Sequence, residues 1–249
     1  CLLESEKLVR QVANKLIKFS SENNFNFVFK CSFDKANRSS DKTTRSKVSI
    51  EKSIDILKNL KKDLKIPITS DVHETNQIEK LESLLDIIQI PAFLCRQTDL
   101  IRVAAQTKKI VNVKKGQFLS HQEIENIILK IENQNNKKIL ITERGNSFGY
   151  NYLINDFKGV HFMKQFGYPI IFDSTHSVQL PGGMGIKSGG AREYVVPLSR
   201  SAASLRLAGF FIETHPNPEK ALSDGPNMMH LHNMPKLLNS INKINKAAK

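Results

Sequence analysis

The chain has 249 residues, 40% of them hydrophobic and 24% charged, and its formal net charge is +13. That length and apolar content suffice for a single domain with a large core. No stretch reaches the roughly 18 uninterrupted apolar residues of a membrane span, and the N-terminus lacks the basic-then-apolar layout of a secretion signal, so a cytoplasmic protein is expected.

Cys1, Cys31 and Cys95 make an odd number in no CxxC spacing, which argues against a disulfide framework and a zinc ribbon. The positive charge invites a nucleic-acid reading. Against it, basic residues such as Lys52, Lys58, Lys61 and Lys62 lie on the solvated face of a helix-like segment, and a chain without Trp and with 4 Tyr offers no stacking platform. Neither a nucleic acid nor a membrane is expected as a partner.

Taken in order, short apolar, β-branched runs occur at 25–29, 66–72, 87–90, 110–113, 139–142, 170–172 and 209–212. Helical periodicity fills most of the intervals, as at 6–19, 50–64 and 122–133. Such alternation predicts an α/β chain with parallel strands and crossover helices, either an open sheet or a (β/α)8 TIM barrel. The seven runs fall one short of a barrel, and Ser5 with Glu6 already reads as a helix start. The first strand is therefore expected to be largely missing from this chain, with Cys1 at its carboxyl end. Residues 1–249 read as one barrel domain, without internal repeat or long linker.

Reactive groups of a barrel sit where strands end. The residues after successive runs are Lys30, Ser32 and Lys35; Asp71 and His73; Gln89; Lys114 and Lys115; Glu143 and Arg144; Asp173 and His176; Glu213 and His215. Any one of these could simply cap a strand in water. Together, so many cations on one rim would repel each other unless an anion sat among them. Arg38, Arg96 and Arg144 supply planar forks, and Lys35 and Lys114 supply point charges, for phosphate or carboxylate. Glu213, Asp224, His176 and Cys1 form a different donor set, suited to a divalent cation, although their spacing alone assigns nothing. Residues 177–191 hold five of the 12 glycines, and Arg192 follows. This segment is expected to be a mobile lid, the alternative being a surface loop.

Residues 30–40, Lys-Cys-Ser-Phe-Asp-Lys-Ala-Asn-Arg-Ser-Ser, closely resemble the 3-deoxy-D-manno-octulosonate 8-phosphate synthase family. Similar blocks follow at 69–74, 89–100, 112–118, 142–145, 148–150, 173–183 and 213–224. The resemblance implies a (β/α)8 barrel that condenses phosphoenolpyruvate with D-arabinose 5-phosphate and water, releasing phosphate, for lipopolysaccharide core biosynthesis. It further implies that Lys30, Ser32, Lys35, Gln89, Lys114 and Arg144 hold phosphoenolpyruvate and that Asn37, Arg38 and Ser39 hold the sugar phosphate. Arg96 would reach in from a neighbouring subunit of a homotetramer, and Lys35, Asn37 and His176 would take catalytic roles.

The metal-dependent form of that family carries a Cys where the other form has Asn, and a lid resembling residues 179–183. Cys1, His176, Glu213 and Asp224 match its metal ligands, implying a divalent ion such as Zn, Fe or Mn. Residues 41–50 depart from the family by lacking an Arg-Gly element. A related barrel, 3-deoxy-D-arabino-heptulosonate 7-phosphate synthase, uses erythrose 4-phosphate and usually reads Lys-Pro-Arg-Thr-Ser where this chain has Lys35, Ala36, Asn37, Arg38 and Ser39.

Overall fold

Seven short strands pair in parallel and in chain order within one curled sheet. They are β1 (Phe29–Lys30), β2 (Ile68–Asp71), β3 (Ile87–Ile90), β4 (Ile110–Lys114), β5 (Ile139–Glu143), β6 (Ile170–Asp173) and β7 (Gly209–Phe211). The computed structural model describes residues 2–34, 48–182 and 189–248. Among these the sheet is not closed, and no eighth strand joins it; three two-stranded ribbons lie outside it. Leu2 makes a single parallel bridge to Ser32, and its neighbour Leu3 donates its N–H to the Ser32 carbonyl at 2.9 Å. The architecture is a TIM-barrel-like α/β fold.

The helices are α1 (Glu6–Glu22), α2 (Ile50–Leu64), α3 (Thr75–Leu81), α4 (Thr98–Gln106), α5 (Ile124–Glu132), α6 (Phe157–Met163), α7 (Val195–Ala203) and α8 (Met234–Ala247). α1 starts because the Ser5 hydroxyl accepts from the Leu8 N–H, and α2 starts the same way at Ser49 and Lys52. α2 stops where Lys65 turns left-handed, at φ 50°. Its Ile54, Leu57 and Leu60, spaced three apart, face the core. Every residue of β2 and β3 is buried, as a parallel sheet covered on both faces requires.

The apolar run at 25–29 yields only a two-residue strand. Phe29 donates to the carbonyl of Pro67, and Pro67 has no N–H with which to extend the ladder upstream. The run at 66–72 shortens for the same reason.

A close approach fixes α6. A Cβ built on Gly159 would lie 2.0 Å from His121 Nδ1. Gly159→Ala is therefore expected to push the His121 ring away from Glu143 and cost about 1–3 kcal/mol, read as a lower midpoint in urea unfolding. An unchanged midpoint would show that the ring moves without loss.

Candidate active site and metal-ligand cluster

The strand ends deliver Lys30, Asp71, Gln89, Lys114, Glu143 and Asp173 to one end of the sheet, with Glu143, next to Thr142, turned to the opposite face toward Lys115 and His121. The register sets Asp71 opposite Gln89, and Gln89 opposite Asn112. Their side chains join in a continuous hydrogen-bonded chain. Thr142 Oγ1 donates to Asn112 Oδ1 at 2.7 Å, and Asn112 Nδ2 donates to Gln89 Oε1 at 3.3 Å. Gln89 Nε2 then donates to Asp71 Oδ1, while Ser32 Oγ donates to Asp71 Oδ2 at 2.9 Å and itself accepts from Lys30 Nζ at 2.6 Å. A carboxylate only accepts, so Asp71 dictates the orientation of both amides.

Most cations here are matched by carboxylates of the protein itself. Lys30 Nζ lies 3.5 Å from Asp71 and 3.6 Å from Glu213. Lys114 Nζ is 2.5 Å from Asp173 Oδ2 and 3.6 Å from the centre of the Phe211 ring. Lys115, fully buried, is 3.6 Å from Glu143. The repulsion expected among these rim cations is thus largely relieved internally.

Burial would raise the pKa of Asp173, but the charges of His176 and Lys114, and hydrogen bonds from both, hold it well below the carboxylate range. Burial lowers the pKa of Lys114, against the opposing pull of Asp173.

Arg144 differs: Asp173, Glu143 and Asp224 favour its charge, but no carboxylate reaches ion-pair distance among the described residues. It is 4% exposed, and its Nη2 donates to Gln179 Oε1 at 2.8 Å. Its buried Nη1 has no hydrogen-bond partner among the described residues. Burial also lowers the guanidinium pKa. A buried, charged donor without an acceptor is costly, and an anionic ligand would satisfy it.

His176, Glu213 and Asp224 offer ligand atoms that all lie within 4.8 Å of one another. His176 Nδ1 sits 2.8 Å from Asp173 Oδ2, which leaves Nε2 as the ring nitrogen available to a ligand. A carboxylate behind an imidazole in this way orients a ligating His. Asp224 is held on a left-handed backbone, at φ 53°, and accepts from Gln179 Nε2 at 3.3 Å. An imidazole with two carboxylates suits Zn, Fe or Mn, so the residues present fit a divalent ion.

Lys30, Ser32, Gln89, Lys114, Arg144, His176, Glu213 and Asp224 thus belong to one cluster, made of three bonded groups that meet where His176, Glu213 and Asp224 converge. Cys1, Lys35, Asn37, Arg38 and Ser39 lie outside the described residues. Arg96 stands apart, exposed after β3, and its side chain makes no hydrogen bond or ion pair among the described residues. The two legs of the glycine-rich segment pair as an antiparallel ribbon, Gln179–Leu180 against Gly189–Gly190, and residues 183–188 lie outside the described residues.

Asn112, Thr142 and the linking role of Gln179 were not anticipated from the sequence. The only available signal was a polar Asn in the middle of an apolar strand run.

Residues 1–249 match the DAHP synthetase I family. Two relatives are each named 2-dehydro-3-deoxyphosphooctonate aldolase. The one from Coxiella burnetii is 47% identical over 249 residues, covering 100% of this chain and 89% of the relative. The one from Cupriavidus taiwanensis is 44% identical over 255 residues, covering 100% and 88%. A third relative of the same name, from Geobacter sp., is 46% identical over 244 residues, covering 98% and 89%.

Proposed function

Since the chain belongs to the DAHP synthetase I family and to its 2-dehydro-3-deoxyphosphooctonate aldolases, we propose that it condenses phosphoenolpyruvate with D-arabinose 5-phosphate and water. The products are 3-deoxy-D-manno-octulosonate 8-phosphate and phosphate, which makes it a carbon–carbon-bond-forming transferase of lipopolysaccharide biosynthesis. The observation that carries the anionic substrate is Arg144, buried and with its Nη1 unpartnered among the described residues.

In this reaction the enol carbon of phosphoenolpyruvate attacks the sugar aldehyde. Alkoxide charge develops on one substrate, and oxocarbenium character on the other, where water adds before phosphate leaves. Arg144 Nη1 takes an anionic oxygen of phosphoenolpyruvate. Lys30 and Lys114, already aimed by Asp71, Glu213 and Asp173, offset the remaining negative charge. Gln89, whose Oε1 and one Nε2 proton are engaged by Asn112 and Asp71, directs its second Nε2 proton to the same substrate. Ser32 completes that pocket.

Asn37, Arg38 and Ser39 take the sugar phosphate. Lys35 gives a proton to the alkoxide, and Asn37 shares the catalytic role. These assignments rest on the resemblance.

We assign His176, Glu213, Asp224 and Cys1 to a divalent ion, of which Zn, Fe and Mn all suit the donors. Such an ion supplies Lewis-acid polarisation and holds the sugar or water in place. His176 contributes its Nε2, kept free by Asp173. We further propose one catalytic domain acting in the cytoplasm as a homotetramer. The exposed position of Arg96 is compatible with its reaching a neighbouring subunit.

Phosphate release from phosphoenolpyruvate tests the reading. Metal-stripped protein is expected to turn over arabinose 5-phosphate only after a divalent metal is added, and to prefer it to erythrose 4-phosphate. Turnover without metal would remove the metal assignment, and a preference for erythrose 4-phosphate would remove the sugar assignment.

A further inference from the structure

Gln179 lies where the anion and metal clusters meet. Its Oε1 accepts from Arg144 Nη2 at 2.8 Å, and its Nε2 donates to Asp224 Oδ1 at 3.3 Å. A primary amide has one acceptor end and one donor end, and here each end holds a different cluster. The backbone of Gln179 pairs with Gly190 in the ribbon at the base of the glycine-rich segment.

The ribbon is in turn bound to the loop that carries Asp224. A Cβ at Gly190 would fall 1.5 Å from Asn227 Oδ1, so the two segments are in direct contact. Arg192, two residues further on, donates to the Gly225 carbonyl at 2.7 Å and to Glu219 Oε1 at 2.8 Å. The supports of Gln179 and Asp224 are therefore one unit, and Arg144 comes from the separate end of β5.

We propose that Gln179 is a positioning residue that couples the two sites, so that an anion on Arg144 and a divalent ion on Asp224 each favour binding of the other. This inference rests on the proposed function of the same cluster. An anion on Arg144 Nη1 immobilises the guanidinium, and through Nη2 it fixes the rotamer of Gln179. The Asp224 carboxylate is then already oriented when the metal arrives. Whichever ligand binds second finds that ordering complete, which is positive coupling, and it is reciprocal. Direct attraction between the anion and the cation adds a part that needs no Gln179.

The test is titration of metal-stripped protein with Mn²⁺, following free Mn²⁺ by electron paramagnetic resonance, with and without phosphoenolpyruvate. Wild-type protein is expected to bind Mn²⁺ more tightly when phosphoenolpyruvate is present. In Gln179→Leu, and in Gln179→Met, which keeps the side-chain length, that tightening is expected to shrink by about fivefold, the worth of one hydrogen bond. Each ligand alone should still bind within about threefold of wild type, since the direct ligands remain.

A merely structural role would weaken both single affinities and leave their ratio unchanged, and that result overturns the proposal. An undiminished tightening in both variants, with single affinities intact, also overturns it while leaving the proposed function standing. Failure of wild-type protein to bind Mn²⁺ or phosphoenolpyruvate at all removes the corresponding site, and the coupling with it.

Discussion

Arg144→Met is expected to lower kcat/KM for phosphoenolpyruvate by about 100-fold or more, because truncating one partner of a buried charged contact costs about 2–5 kcal/mol. The loss should be carried largely by KM, as Arg144 is assigned to hold an anion already present in the ground state. Stability should respond in the opposite sense or hardly at all. The guanidinium is 4% exposed, burial lowers its pKa, and Nη1 has no partner among the described residues. Replacing it with an apolar side chain of similar length removes a desolvated charge. Steady-state kinetics together with thermal unfolding distinguish this from simple damage. A variant that loses activity and stability in parallel would mean that Arg144 is structural.

The second large effect concerns Glu143, which is fully buried beside Lys115 at 3.6 Å and His121 at 3.3 Å and accepts from the Gly145 N–H at 2.5 Å. Glu143→Ala leaves the buried Lys115 ammonium without its counter-charge, and is expected to cost about 3–5 kcal/mol. For a chain of this size that corresponds to a fall in Tm of roughly 6–20 °C.

The same pair gives a pH dependence of known sign. Burial would raise the Glu143 pKa, but contact with His121, the charge of Lys115 and the Gly145 N–H bring it below the ordinary value. A carboxyl whose folded pKa is depressed contributes stability that is fully present above the unfolded value, about 4.3. That contribution fades as pH falls from there through the folded pKa. Wild-type protein should therefore lose stability on acidification below that value, and the variant should lose less over the same interval. Parallel urea-unfolding curves for the two proteins across pH 3–5 would contradict the assignment.

Much of the site was legible along the chain because a parallel α/β architecture places functional groups where strands end. Once Ile110 to Val113 is recognised as a strand, Lys114 must emerge at its carboxyl end, and the same holds for Glu143 after 139–142 and Asp173 after 170–172. Strand positions follow from local, period-two and β-branched signals, and helix starts from side chains such as Ser5 and Ser49, which act within one turn. The joining of His176, Glu213 and Asp224 was suggested by resemblance, and the structure brings their ligand atoms together.

What the sequence could not supply is partner choice across strands. That Lys114 faces Asp173, 59 positions away, or that Gln179 reaches both Arg144 and Asp224, depends on register and sheet curl, which no local pattern encodes. For that reason the rim read as a ring of uncompensated cations in the sequence and as alternating charges in three dimensions. The pattern of residue types determined the fold class and the chemistry available at the rim. Tertiary structure decided which charges cancel, and that Arg144 Nη1 is one of the buried donors left unpartnered among the described residues, because Coulomb and hydrogen-bond energies depend on distances that only folding sets.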